Sequence, residues 1–342
     1  MLKDNESVAD LGDQSPETAP LRSFTSNEMV RCDSCLRANP PTRVACLYCG
    51  GPLPVHTTAE TFQQPALRPL EKWELGYNNI LLPSSANVDA PTKAIAEFVR
   101  LTEEELRRIL AVNSAVPIAR SSSTDEASLI QHRLEKLQLP NLVVADTELG
   151  IEPGIKLRAA NFREDFLEAY QSKEAAPIEI PWNDLSLVVL GRITRIRVEL
   201  TEERKRSENR VLEADQFFGD ELAIELFSKR STVPYRITGG SFDFSGLGQD
   251  KRLLAAENMK LLVEIFRRRT PGLHFDQNYD VLRKALDPVW KLDQQIDSTG
   301  WRRARPGKFS LGSVTESSND AQFSRYARLR YFLQNRDSEN NE

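Results

Sequence analysis

Two short cysteine motifs, Cys32-Asp33-Ser34-Cys35 and Cys46-Leu47-Tyr48-Cys49, constrain this chain more than anything else, because they hold all four of its cysteines. Each CxxC closes a tight turn that brings two sulfurs to one centre. Two such turns complete a tetrahedral thiolate site for Zn²⁺ at about 2.3 Å per bond. The rival use of four cysteines is a disulfide framework, which suits short secreted chains. Here the cysteines crowd into one stretch of a 342-residue chain whose start, Met1-Leu2-Lys3-Asp4-Asn5-Glu6, has neither a basic nor an apolar leader region. The expectation is one structural Zn²⁺ held by Cys32, Cys35, Cys46 and Cys49. His56, just past the fourth cysteine, is at best a spare ligand.

Composition sets the outer bounds. A 40% hydrophobic and 28% charged chain of this length can build two or three soluble domains. Its net charge of -5 and pI near 5.6 argue against a dedicated DNA binder. The longest apolar stretch, Leu185 to Ile193, is far short of the ~20 residues that span a bilayer. Together with the absent leader, this points to a cytoplasmic protein without a membrane span.

With Asn39 between the two pairs, residues 30–51 read Cys-x2-Cys-x3-Asn-x6-Cys-x2-Cys. This resembles the Ran-binding-protein type of zinc finger, whose members bind single-stranded RNA or small protein modules. The resemblance implies that Asn39 braces the loop between the two knuckles. Val30 stands where the family usually has Trp, and Tyr48 is the ribbon's one aromatic, which leaves little platform for stacking bases. Arg31, Arg37 and Arg43 are available for phosphate contacts, or simply keep a core-poor module soluble.

Along the chain, residues 1–29 carry two cations against six carboxylates and few large apolar side chains, the signature of a disordered acidic arm. After the ribbon at 30–51, residues 52–75 contain four prolines and read as a linker that lets the ribbon move. Residues 76–150 follow a βααβαβ order: a strand at 79–82, helices at 92–99 and 102–110, a strand at 116–119, a helix capped by Ser123 or Thr124, and a strand at 142–144. The stretch LTEEELRRIL…ARSSSTDEASLIQHRLEKLQLPNLVV makes 76–146 similar to the C-terminal domain of the ribosomal stalk protein. Without that family's lysine-rich helix, the resemblance implies the fold and not factor binding. His132, alone on its helix, reads as a surface residue.

Residues 151–336 form a strand-rich domain with C-terminal helices. Extended runs at 155–159, 166–170, 178–182, 186–200, 222–227 and 235–244 precede an amphipathic helix at 251–269, with Leu253, Leu254, Met259, Leu262, Val263 and Phe266 on its apolar face. With the Ile-Pro-Trp-x-Asp-Leu turn at 180–185, this order makes 154–270 similar to a pleckstrin-homology-like barrel capped by a helix. Short helices at 279–285 and 323–333 flank a basic loop at 300–308. From 298 to 336 there are eight cations against two carboxylates, and 337–342 reads as a disordered tail. The fold class is therefore α+β and multi-module: an N-terminal zinc ribbon, a small βααβαβ domain and a strand-rich domain capped by a helix.

No catalytic set emerges. Zinc would occupy every thiol, and the three histidines fall in different modules. Gly246-Leu247-Gly248-Gln249-Asp250-Lys251 lacks the ending of a phosphate loop and reads as a turn capping the helix. The whole chain resembles uncharacterised bacterial zinc-ribbon proteins, a likeness that implies no activity. The expectation is a non-catalytic, zinc-binding adaptor or scaffold with an unidentified protein partner. The alternative is an RNA- or ribosome-associated zinc-finger protein that contacts RNA through Arg302, Arg303, Arg305 and Lys308.

Overall fold

The computed structural model describes residues 24, 29–41, 43, 45–53, 65, 67–71, 73–83, 92–150, 152–172, 174–204, 209–305 and 308–339, with the backbone alone for 201–213 and 299–311. The expected acidic arm and His56 thus lie almost entirely outside the described residues. The chain divides into two units, 1–64 and 65–342, and its fold class is mixed α+β.

In the first unit, β1 (Val30–Arg31) pairs antiparallel with β2 (Ala38–Asn39), and Ala45 bridges Pro52. Its buried apolar residues are Val30, Cys32, Cys46 and Leu53, with Cys35 packed at the edge. One valine and one leucine cannot offset the chain entropy of a folded module, so the cysteines themselves have to supply the cross-link.

The second unit begins with β3 (Tyr77–Leu81), α1 (Thr92–Val99), α2 (Glu103–Ala111), β4 (Val116–Ser121), α3 (Thr124–Lys136), β5 (Asn141–Ala145) and the single turn α4 (Asp146–Leu149). The strand order β4-β3-β5 is antiparallel throughout, which realises the expected βααβαβ order. The local signals act as read. Glu105 N–H donates to Thr102 Oγ1 at 3.2 Å while Thr102 N–H donates to Glu105 Oε2 at 2.8 Å, the two halves of a capping box. Ser123 Oγ accepts from Glu126 N–H to open α3, whose Ala127, Ile130 and Leu134 are buried. His132 is exposed. Described residues before β3 hold to this module: Leu67 N–H donates to Glu126 Oε1, and Arg120 donates to Glu74 C=O at 3.0 Å.

The strands that follow are β6 (Ile155–Lys156), β7 (Ala159–Phe162), β8 (Phe166–Tyr170), β9 (Ile178–Pro181), β10 (Leu185–Arg204), β11 (Asn209–Ser228) and β12 (Ser231–Thr238). Then come α5 (Ala255–Arg269), β13 (His274–Asp276), α6 (Tyr279–Leu286), β14 (Asp293–Arg305), β15 (Lys308–Ser318) and α7 (Asp320–Glu339). Strands β7-β8-β9 form one small sheet. A seven-stranded sheet runs β14-β15-β10-β11-β12-β6, with β13 beside β10, and curls into a half-barrel. Met259, Leu262, Val263 and Phe266 of α5 pack into a common core with Leu167 and Ile180 from the small sheet, Trp182 just past it, and Val188, Ile224 and Ile237 from the large sheet. β6 and β13 join the sheet in parallel, which an antiparallel barrel closed by one helix does not contain.

Four expectations need correction. The helix starts at Ala255, and Leu253 and Leu254 stand 98% and 59% exposed outside it. Residues 244–250 form a 3₁₀ segment that does not cap that helix. Asn258 does the work instead, accepting from Arg252 N–H at 2.6 Å and donating to Arg252 C=O at 2.9 Å. The basic loop at 300–308 is for the most part β14 and β15 of a hairpin, in which Arg302 sits opposite Ser310 and Arg305 opposite Lys308. Helix α7 also continues through Glu339, so the first part of the expected tail is helical.

Gly191 shows how closely α7 lies on the sheet. A Cβ there would stand 2.6 Å from the Phe323 ring and 2.7 Å from the Tyr279 ring, so only glycine lets β10 pass beneath these aromatics. Phe323, Tyr326 and Leu329 of α7 are buried, and Tyr331 stacks on Phe227 at 4.6 Å between centroids.

Candidate metal centre

The two cysteine pairs fold into knuckles that repeat one another bond for bond. Leu36 N–H donates to Cys32 C=O at 2.8 Å, and Gly50 N–H donates to Cys46 C=O at 3.0 Å. Cys32 N–H donates to Arg37 C=O at 3.0 Å, and Cys46 N–H donates to Gly51 C=O at 2.8 Å. The residue after the second cysteine is left-handed in each, with φ 59° at Leu36 and 74° at Gly50. That turn is costless for Gly50 and mildly strained for Leu36.

The knuckles face each other so that the four Sγ atoms all lie within 4.8 Å of one another, and the cysteines are free. Cys32 Sγ lies 3.6 Å from Cys49 Sγ, and Cys35 Sγ lies 3.5 Å from Cys46 Sγ. A tetrahedron with metal–sulfur bonds of about 2.3 Å has edges of about 3.8 Å, so the donor set fits one zinc ion. This is a zinc-ribbon-like cluster of all four predicted ligands.

Asn39 is fully buried and ties the knuckles together. Its Nδ2 donates to Arg37 C=O at 2.9 Å and to Cys46 Sγ at 3.4 Å, while its Oδ1 accepts from Leu47 N–H at 2.8 Å. Tyr48 N–H also donates to Cys46 Sγ at 3.4 Å. Burial acts to raise the Cys46 thiol, but the N–H groups of Tyr48 and Cys49 and the Asn39 amide hold it down to about 6. At Cys35 the N–H of Arg37 acts downward, yet burial and the sharing of protons with the other three sulfurs push it up to about 12. Cysteine binds a metal ion as the thiolate. A divalent ion binds by displacing the remaining protons, so affinity falls as pH falls.

The ribbon's remaining surface is unusual for so small a module. Leu36, Leu47 and Tyr48, all on the knuckles, are 68%, 52% and 56% exposed. The Arg37 guanidinium lies 4.8 Å from the Tyr48 ring centroid.

No protein-family profile matches the chain, and no curated protein or solved structure shows significant similarity to it. Among the described residues, no other group of three or more His, Cys, Asp or Glu side chains has metal-binding geometry. No helix among them is long and apolar enough to cross a membrane.

In the second unit the buried ionisable groups serve the fold. Glu225 and Arg236 pair at 2.5 Å, and Arg236 reaches on to Asp320 and to Ser324 Oγ, joining β11, β12 and α7. Arg330 pairs with Asp276 at 2.8 Å, and Arg328 donates to the carbonyls of Leu149 and Glu152. Part of the cationic run at 298–336 is therefore internal. The side chains of Arg302, Arg303, Arg305 and Lys308 lie outside the described residues. The buried polar anchors Asn78, Asn319 and Gln322 were not legible beforehand. Asn78 and Asn79 side by side in a short apolar strand were the one available signal.

Proposed function

We propose that this protein is a non-catalytic zinc-binding adaptor whose ribbon docks a protein partner through the apolar tips of its two knuckles. The observation that carries this reading is the exposure of Leu36, Leu47 and Tyr48 on a module with almost no core of its own. A module this poor in apolar residues loses folding energy by leaving three large ones in water, and burial against a partner recovers it. The resemblance to the Ran-binding-protein type of finger supports the same reading, since that family includes binders of small protein modules. Free thiols able to take zinc suit the reducing cytoplasm.

A second reading, RNA association, is favoured by the Arg37–Tyr48 stack, which offers a cation and a ring on one surface. The two separate by salt. Changing Leu36→Ser together with Leu47→Ser should abolish partner capture while leaving zinc content and folding within about 0.5 kcal/mol of wild type, because both sites are exposed. RNA binding would instead weaken steeply between ~50 and ~200 mM salt and respond to Arg37→Glu. Capture that survives the double serine change removes the adaptor reading of this face.

A further inference from the structure

A cleft of about 470 Å³ opens in the second unit where the βααβαβ module meets the strand-rich region. Its walls come from the segment before β3, the end of α1, strand β4, the α6–β14 connection and helix α7. Leu70, Leu101, Val289 and Leu292, all partly exposed, contribute an apolar lining. Five cations also line it, Arg68, Arg100, Arg120, Lys291 and Arg325, against two carboxylates, Glu71 and Asp293. A volume of this size, at a boundary between modules and partly apolar, is of the kind that takes small molecules.

The cations are not equivalent. Arg68 is committed to Glu74 at 2.7 Å and Arg120 to Asp146. Arg100, Lys291 and Arg325 have no hydrogen-bonding or ion-pair partner for their side chains among the described residues. Arg325 is half-buried, and burial and then the neighbouring Arg120 act against its charge, with Asp146 and Asp293 giving back only part. A guanidinium taken out of water without a partner is costly, and arginine remains charged rather than giving up its proton. At the rim, Arg100 ends α1 in the left-handed conformation with φ 55°, a position glycine would occupy without strain. The carboxylates that act on two of these cations do so at longer range, Glu105 on Lys291 and Asp146 and Asp293 on Arg325.

We propose that this cleft binds a small amphipathic organic anion, its acidic group paired with Arg325 and its apolar body laid along Leu101, Val289 and Leu292. The Arg325 fork supplies paired N–H donors to a carboxylate, sulfonate or phosphate oxygen pair. Arg100 and Lys291, exposed at the rim, add attraction that salt screens.

The test uses the full-length, zinc-loaded protein with 8-anilinonaphthalene-1-sulfonate as the anionic probe and N-phenyl-1-naphthylamine as its neutral analogue. Wild type should bind the sulfonate saturably at one per chain and at least about tenfold more tightly than the neutral amine. Arg325→Gln should remove that preference while leaving the neutral probe unchanged. Arg100→Gln with Lys291→Gln, both at exposed positions, should reduce sulfonate affinity two- to fivefold and flatten its salt dependence, which keeps the test intact if the Arg325 variant does not fold. Equal binding of the two probes by wild type, or unaltered sulfonate binding by all these variants, would overturn the proposal.

Discussion

The ribbon and the larger unit solve the same problem by opposite means. In the larger unit a continuous apolar core from two sheets and α5 carries the fold, and buried polar side chains pin one element to the next. Trp290 is fully buried with its indole N–H donating to Asn78 Oδ1 at 2.9 Å, and Asn78 Nδ2 in turn donates to Asp146 Oδ1 at 2.9 Å. The ribbon has one valine and one leucine in its core, and its buried polar residue, Asn39, is spent on the metal knuckles. The difference teaches where each unit keeps its stability: the first in four sulfurs, the second in area removed from water. It also explains why the ribbon can leave Leu36, Leu47 and Tyr48 exposed, since they are not needed for its fold.

The sharpest way to break this comparison is Cys46→Ser. One lost thiolate opens the tetrahedral site, so the ribbon should lose its fold entirely, read by loss of amide dispersion for residues 30–53 in NMR. The four tryptophans, Trp73, Trp182, Trp290 and Trp301, all lie in the larger unit. Their fluorescence melting curve should stay within about 1 °C of wild type, and a shared fall would mean that the two units do not fold separately.

The complementary change is Asn78→Leu, which strands the Trp290 N–H and removes a donor from Asp146. Loss of about 3 kcal/mol is expected in the urea unfolding of the larger unit, with zinc content unaltered. A change below about 1 kcal/mol would show that this buried polar chain does not pin the elements.

A smaller effect concerns acid. Burial acts to raise the Asp146 carboxyl, but Arg120, Asn78 and the Gly76 N–H outweigh it and hold the group below the usual carboxylate range. A depressed folded-state value means the stabilisation is full above the unfolded value near ~3.9 and is lost as pH falls through the folded one. Asp146→Asn should therefore flatten the acid limb of the tryptophan-detected unfolding curve below about pH 4. An unchanged limb would assign acid sensitivity to other carboxylates. The ribbon's sensitivity has a different origin, since its thiols must shed protons to take metal.

The parts legible in the sequence were those fixed by local chemistry. The CxxC spacing brought out all four sulfurs, and the Thr102–Glu105 box and the Ser123 cap opened their helices where expected. What was missed depends on distant partners. Strands β10 and β11 run on as a paired hairpin to Arg204 and Asn209, where the sequence is charged and shows no apolar alternation, so it reads as loop. The same holds for β14 and β15. Leu253 and Leu254 fit a helical apolar period yet fall outside it, because Asn258 fixes the turn at Arg252 and starts the helix later. The Arg325 cleft draws on residues from five separate segments, which no single window of sequence contains.

The central claim, that four thiolates and one metal ion make the ribbon, is tested most directly by zinc X-ray absorption on protein purified without chelator, together with metal content. One zinc per chain with four sulfur neighbours at about 2.3 Å is expected. Nitrogen or oxygen neighbours in place of sulfur, or a metal-free protein with an ordered ribbon, would contradict it.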